Sequence, residues 1–119
     1  MKLLTDTQRE ELIANGRANA ECIAKDGRTL DLKPVVKLFC PWSEATWLLT
    51  ELDSEDPDLA FGLCDLGMGS PELGHVRLSE IESVTGPGGL TIERDVFFRA
   101  TDTLQTYAAE ARRHGRILA

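Results

Sequence analysis

Between Pro34 and Leu78 the chain passes through four short apolar runs, each closed off by turn residues. Val35-Val36-Lys37-Leu38-Phe39-Cys40 ends in Pro41-Trp42-Ser43-Glu44. Thr46–Leu52 ends in Asp53-Ser54-Glu55-Asp56-Pro57-Asp58. Leu59–Leu66 ends in Gly67-Met68-Gly69-Ser70-Pro71, and Leu73–Leu78 follows. Runs of this length, rich in β-branched and aromatic residues and punctuated by Gly, Pro and Asp, read as strands. Strands joined by such short turns pair with their neighbours as an antiparallel sheet. The segment 34–78 therefore predicts a β-meander, and a meander needs something to cover it.

The flanks supply the cover. Thr5-x-x-Gln8 and Thr7-x-x-Glu10 both fit a capping box, with Leu12 and Ile13 behind them. Asn15-Gly16 is expected to end that helix. Arg17–Lys33 has no clear period and reads as a loop, with a short strand near Thr29–Leu32. Ser79-x-x-Glu82 predicts one or two helical turns through Val84, and Gly86-Pro87-Gly88-Gly89 breaks the chain. Leu90–Asp95 and Val96–Arg99 suit short extended pieces. Leu104, Tyr107, Ala108 and Ala111 recur at helical spacing before Gly115, which predicts a last helix from about Thr103 to His114. The expected fold is α+β: a four- to five-stranded, mostly antiparallel sheet with the N- and C-terminal helices packed on one face. A chain of 119 residues suits a single domain, 1–119.

Residues opposite one another in an antiparallel pair share a face. Setting position 37 against 49 and 51 against 61 groups Lys37, Phe39, Trp47, Leu49, Glu51, Phe61, Leu63 and Asp65. The other face then carries Val36, Leu38, Cys40, Leu48, Leu52, Ala60, Gly62 and Cys64, small and uncharged enough for helices to pack on. On the first face, Lys37, Glu51 and Asp65 interrupt apolar runs. They form the candidate polar cluster: either a cross-strand ion pair on a partly exposed face or the centre of a cleft. A one-residue slip would redistribute both faces.

Charge narrows the functions. The net charge is −7, which argues against a binder of nucleic-acid backbone, since that needs a basic face. The imbalance is local. Between Lys37 and Arg77 there is no Lys or Arg, while Glu44, Glu51, Asp53, Glu55, Asp56, Asp58, Asp65 and Glu72 lie there. A local field of one sign selects partners of the other. Glu55, Asp56 and Asp58 in the acidic turn, with Trp42 in the first turn, are therefore the candidate interaction residues.

Motif chemistry adds little. The acidic turn lacks the calcium-loop pattern, with no Gly at its sixth position and Cys64 where the twelfth needs Glu. Neither glycine cluster precedes Lys-Ser/Thr as a phosphate loop does. His75 and His114 with three scattered cysteines match no zinc spacing, and His75 falls on the opposite alternation from a usable base for Cys64. Cys22, Cys40 and Cys64 are odd in number and unpaired in spacing, which suits reduced thiols in the cytoplasm. No apolar run is long enough to span a membrane. We expect no catalytic set, no cofactor and no metal. A homodimer mate could cover the aromatic face.

Several stretches resemble a bacterial family of small proteins of unknown function, often encoded on plasmids and other mobile elements. They are Pro34–Phe39, Ala45–Leu52, Phe61–Gly67, Pro71–Gly74, the opening Leu3-Leu4-Thr5 with Asn15-Gly16, and Tyr107-Ala108-x-Glu110-Ala111. The resemblance implies a mobile-element setting and carries over no catalytic residue. Two further expectations follow from the charge: a protein module engaging a basic partner, or a DNA mimic of an anti-defence kind. A small enzyme or ligand-binding domain built on Lys37, Glu51 and Asp65 is the alternative.

Overall fold

A computed structural model describes residues 2–119. Helix α1 spans Asp6–Asp26. Strands β1 (Val36–Phe39), β2 (Thr46–Leu52), β3 (Leu59–Asp65) and β4 (Glu72–Arg77) follow. Then come helix α2 (Leu78–Ser83), a 3₁₀ turn at Pro87–Gly89, strand β5 (Glu93–Arg94) and helix α3 (Leu104–His114). All strand pairs are antiparallel, in the order β4-β3-β2-β1-β5. The α+β class, the meander and both terminal helices are as the sequence predicts. Among the described residues no helix is long and apolar enough to cross a membrane.

The two helices do not share a face. The α1 side of the sheet buries Val36, Leu38, Trp47, Leu49, Leu52 and Ala60 together with Leu12. The α3 side buries Leu48 and Leu63 against Leu104, Tyr107, Ala108 and Ala111. The reason lies in β2, where Trp47-Leu48-Leu49 is a continuous apolar run. Such a run points apolar side chains to both faces, so both must be covered.

The register also differs from the expected one. Lys37 stands opposite Leu48 and Leu38 opposite Trp47, one residue from the assumed pairing. The four-residue turn Pro41–Glu44 sets this: Cys40 N–H donates to the Ala45 carbonyl at 3.0 Å and closes the loop early. Trp47 and Leu49 thereby move to the α1 face. A bulge at Thr50 then shifts the β2–β3 pairing, from Leu49 opposite Gly62 to Glu51 opposite Phe61. Lys37, Glu51, Phe61, Leu63 and Asp65 consequently share the α3 face.

Helix α1 runs straight through Asn15-Gly16. Its N-terminus carries the expected capping box between Thr5 and Gln8, and it ends at Gly27 in the left-handed conformation (φ 70°). Gly16 is a contact residue: a Cβ there would lie 1.7 Å from the Leu52 carbonyl oxygen. Beside it, the Asn15 amide donates to the Thr50 carbonyl at 2.9 Å. Helix and strand backbones touch here, so the residues that looked like a stop are the seam. The sequence Thr29–Leu32 forms no strand; it ties α1 to α3 instead. Leu30 N–H donates to Asn19 Oδ1 at 2.7 Å, and Leu104 N–H to the Leu32 carbonyl at 2.8 Å.

A Gly16→Ala variant tests the seam. Mid-helix, this change ordinarily stabilises by about 0.5–1 kcal/mol. Here we expect the opposite sign, a loss of about 1–3 kcal/mol from forced separation of α1 and β2, read by urea denaturation. A neutral or stabilising result would mean that the helix does not bear on the strand at this point.

Candidate functional site

The three charges of the candidate cluster share a face without meeting. Lys37 Nζ reaches the Ala119 carbonyl oxygen at 2.7 Å and Asp95 at 3.4 Å. Asp65 is buried, and its two oxygens accept from Gly67 N–H at 2.8 Å and Ile117 N–H at 3.0 Å. It clasps the segment after α3 to the β3–β4 turn. Glu51 accepts from Asn19 Nδ2 of α1 at 3.0 Å. Lys37 and Asp65 are thus committed to holding the C-terminal segment. No hydrogen bond or ion pair among the described residues joins any two of the three.

The acidic turn is partly turned inward. Asp53 Oδ1 accepts from the N–H groups of Glu55 and Asp56, an Asx-type turn that shapes the loop. Arg77 on β4 donates to Asp56 at 2.9 Å and stands 3.6 Å from Asp58. Asp58 accepts from Ser79 N–H at 2.9 Å and Ser79 Oγ at 2.7 Å. It therefore caps α2 from across the hairpin, the role the Ser79-x-x-Glu82 pattern suggested for Ser79 itself. The Ser79 hydrogen bonds and the Arg77 charge hold the Asp58 carboxyl below its ordinary range. Trp42 is half-buried, with its ring against Gly86, where a Cβ would lie 2.5 Å away. Glu55 stays exposed.

Glu51 faces a cavity of about 200 Å³ between α1, the 29–32 segment, the start of α3 and the α3 face of the sheet, the one among several in the described residues that holds a residue of the candidate cluster together with a histidine. Asn19, Phe61, His75 and the apolar side chains of Ile23, Leu30 and Leu104 complete its wall. Burial pushes the Glu51 carboxyl above its ordinary 4.5, while the Asn19 hydrogen bond and the His75 charge hold it back. The Thr50 hydroxyl donates to the Phe61 carbonyl at 3.3 Å. His75 packs on Phe61 with ring centres 5.0 Å apart and planes tilted by 58°. Phe61 stands between Glu51 and His75 in the register, so the two are neighbours through a ring and not a hydrogen-bonded acid–base pair. Asp31 also lines the cavity, but its Oδ1 accepts from Gln105 N–H at 3.1 Å and so caps α3.

Of the sequence candidates, only Glu51 belongs to this cavity. Asn19 was hidden because its helix was expected to stop four residues earlier. Alternation places Phe61 with Leu63 and His75 with Leu73, but it is the β3–β4 register that sets Phe61 opposite His75, and alternation does not report register. The thiol chemistry is closed off: Cys64 lies opposite Glu72, on the face away from His75, and burial pushes its thiol up to about 11. The three cysteines are free. Among the described residues no group of three His, Cys, Asp or Glu could hold a metal ion.

A family model described as a protein of unknown function, DUF2958, matches residues 3–118. No curated protein and no solved structure matches the chain.

Two variants separate the roles of buried Asp65 and half-buried Glu51. Asp65→Ala removes both acceptors of the clasp, where charge-assisted bonds are worth about 1.5–3 kcal/mol each. It should lower the thermal midpoint and abolish hydrogen-exchange protection at Ile117; retained protection there would show that packing alone holds the segment. For Glu51 the folded-state pKa is raised, so its ionisation disfavours the fold. That penalty is absent below pH 4.5 and grows as pH rises through the folded value. Glu51→Gln should therefore gain stability relative to the parent at pH 7 and lose the advantage below about 4.5. A gain that persists at acid pH would contradict this.

Proposed function

We propose that this chain, which belongs to the DUF2958 family of proteins of unknown function, is a non-enzymatic binding module whose exposed carboxylates engage a basic surface on a protein partner. The carrying observation is which carboxylates stay free. In the stretch between Lys37 and Arg77, Asp56, Asp58, Asp65 and Glu51 have internal partners. Glu44, Glu55 and Glu72 are exposed and take part in none of the ion pairs among the described residues, and exposed Asp53, whose Oδ1 serves the N–H groups of its own turn, likewise meets no cation. Unneutralised charges of one sign, in a segment with no cation of its own, favour encounter with a positive surface.

Their placement shapes the reading. Asp53 and Glu55 sit in the β2–β3 turn, while Glu44 and Glu72 sit at the opposite end of the same strands. The seven-residue length of β2 separates the two pairs by about 20 Å. A partner would meet two acidic poles. A DNA mimic would need an unbroken row of carboxylates at phosphate-like spacing, and this arrangement lends that version no support. The cytoplasmic and mobile-element settings belong to the same proposal: free cysteines suit a reducing compartment, and the residues quoted above resemble a plasmid-borne family.

Affinity capture from the native host tests the reading, with the parent chain compared to Asp53→Asn/Glu55→Gln and Glu44→Gln/Glu72→Gln. We expect a basic protein that is released near 0.5 M salt, where the screening length falls to roughly 4 Å, and that at least one double variant fails to retain. Equal retention by both double variants would refute the proposal.

A further inference from the structure

We infer that the cavity at Glu51 receives a cationic group on an apolar stem, an arginine or lysine side chain presented by the basic partner. This rests on the binding reading above and names the contact that would give it specificity. Three features of the cavity converge on that occupant.

The first is charge. Glu51 is a half-buried carboxylate with one neutral hydrogen-bond donor, Asn19, and no Lys or Arg lines the cavity. The other lining carboxylate, Asp31, is taken up by the α3 N-terminus, which removes the positive helix end as a competitor for Glu51. Burial leaves the Glu51 carboxyl above its ordinary value even with the His75 charge and the Asn19 hydrogen bond offsetting part of it, and an incoming Lys or Arg cation would relieve the rest.

The second feature is the wall. Ile23 and Leu30 are 44% and 38% exposed, so apolar side chains stand open to solvent where an aliphatic stem would run. Phe61 offers a ring beside the carboxylate, and a guanidinium over a ring gains from its quadrupole. The third is size. At about 200 Å³ the cavity lies below the range of roughly 300–1,000 Å³ that encloses drug-sized ligands and cofactors. One extended side chain is the kind of object it can hold.

The inference is tested without the partner, by NMR titration of the full chain. The probes are agmatine and a blocked Gly-Arg-Gly peptide, with 1-pentanol as the neutral control and valerate as the anionic one. We expect saturable shifts at Asn19, Leu30, Phe61 and His75 with the peptide, at least as strong as with agmatine, and none with valerate. Glu51→Gln should weaken peptide binding by tenfold or more. Ile23→Ser, on the exposed rim, provides a second variant that does not touch the carboxylate and should weaken binding several-fold. Glu44→Gln/Glu72→Gln, at the far end of the strands and outside the cavity lining, should leave the titration unchanged. Stronger response to agmatine than to the peptide would point to a free amine as the natural occupant and overturn the side-chain assignment. Equal binding of pentanol, shifts confined to the surface carboxylates, or no effect of either cavity variant would overturn the site. Those results leave the capture experiment intact, and a failed capture leaves this titration intact.

Discussion

The structure depends on one strand that is apolar on both sides. Leu48 and Leu49 are adjacent in β2, point to opposite faces, and are both fully buried. Covering only one face would leave the other leucine in water, so a helix on each side is the least arrangement that satisfies β2. The close approach on the α1 side follows from this. Gly16 lets the helix rest on the Leu52 backbone, and Gly62 lies just as tightly on Leu48, where a Cβ would come within 1.9 Å of its carbonyl oxygen. The buried threonine of the bulge is satisfied by the same seam, its carbonyl taking the Asn15 amide.

Much of the architecture was legible because it is written in local chemistry. Strand ends fall at the Asp- and Gly-rich turns, Thr5 with Gln8 makes its capping box, and Gly115 ends α3 in the left-handed conformation (φ 72°). What was not legible depends on contacts distant in sequence. Asn15-Gly16 carries the local signature of a helix end, and only the docking of β2 shows that it is an interface. The register turned on how tightly Pro41–Glu44 closes, which composition does not report. A single residue of slip there moved Trp47 and Leu49 across the sheet. The continuous run Trp47-Leu48-Leu49 did hold the correct message, that both faces are buried; a strict two-face division of residues obscured it.

The site was legible only in part, for a related reason. A charged residue inside an apolar run is a strong signal that something unusual holds it, and Lys37, Glu51 and Asp65 all obey that rule. The run does not say what holds each. For Lys37 and Asp65 the answer is the segment after α3, and for Glu51 it is a helix residue 32 positions away. Acidic-turn residues carried the opposite ambiguity: Asp56 and Asp58 look solvated in sequence and are anchored by Arg77 and Ser79 in space. The free carboxylates and the Glu51 cavity are what remains once these internal duties are assigned.

The division of the core between two faces also bears on the order in which the fold can form. The α1-side cluster draws on residues from Leu3 to Ile92, while the α3-side cluster needs residues up to Ala111, with Ile117 packed on it. Its clasp joins Asp65 to Ile117 across 52 positions of chain. Contacts of such separation slow folding on both sides, since the first layer itself joins Leu3 to Ile92, so the order is set by synthesis, in which Ile92 emerges before Ala111. A chain emerging from its N-terminus can complete the first layer while Leu48 and Leu63 still face solvent. Such a half-closed species, with an apolar sheet face open to any other sheet, is the one most exposed to aggregation.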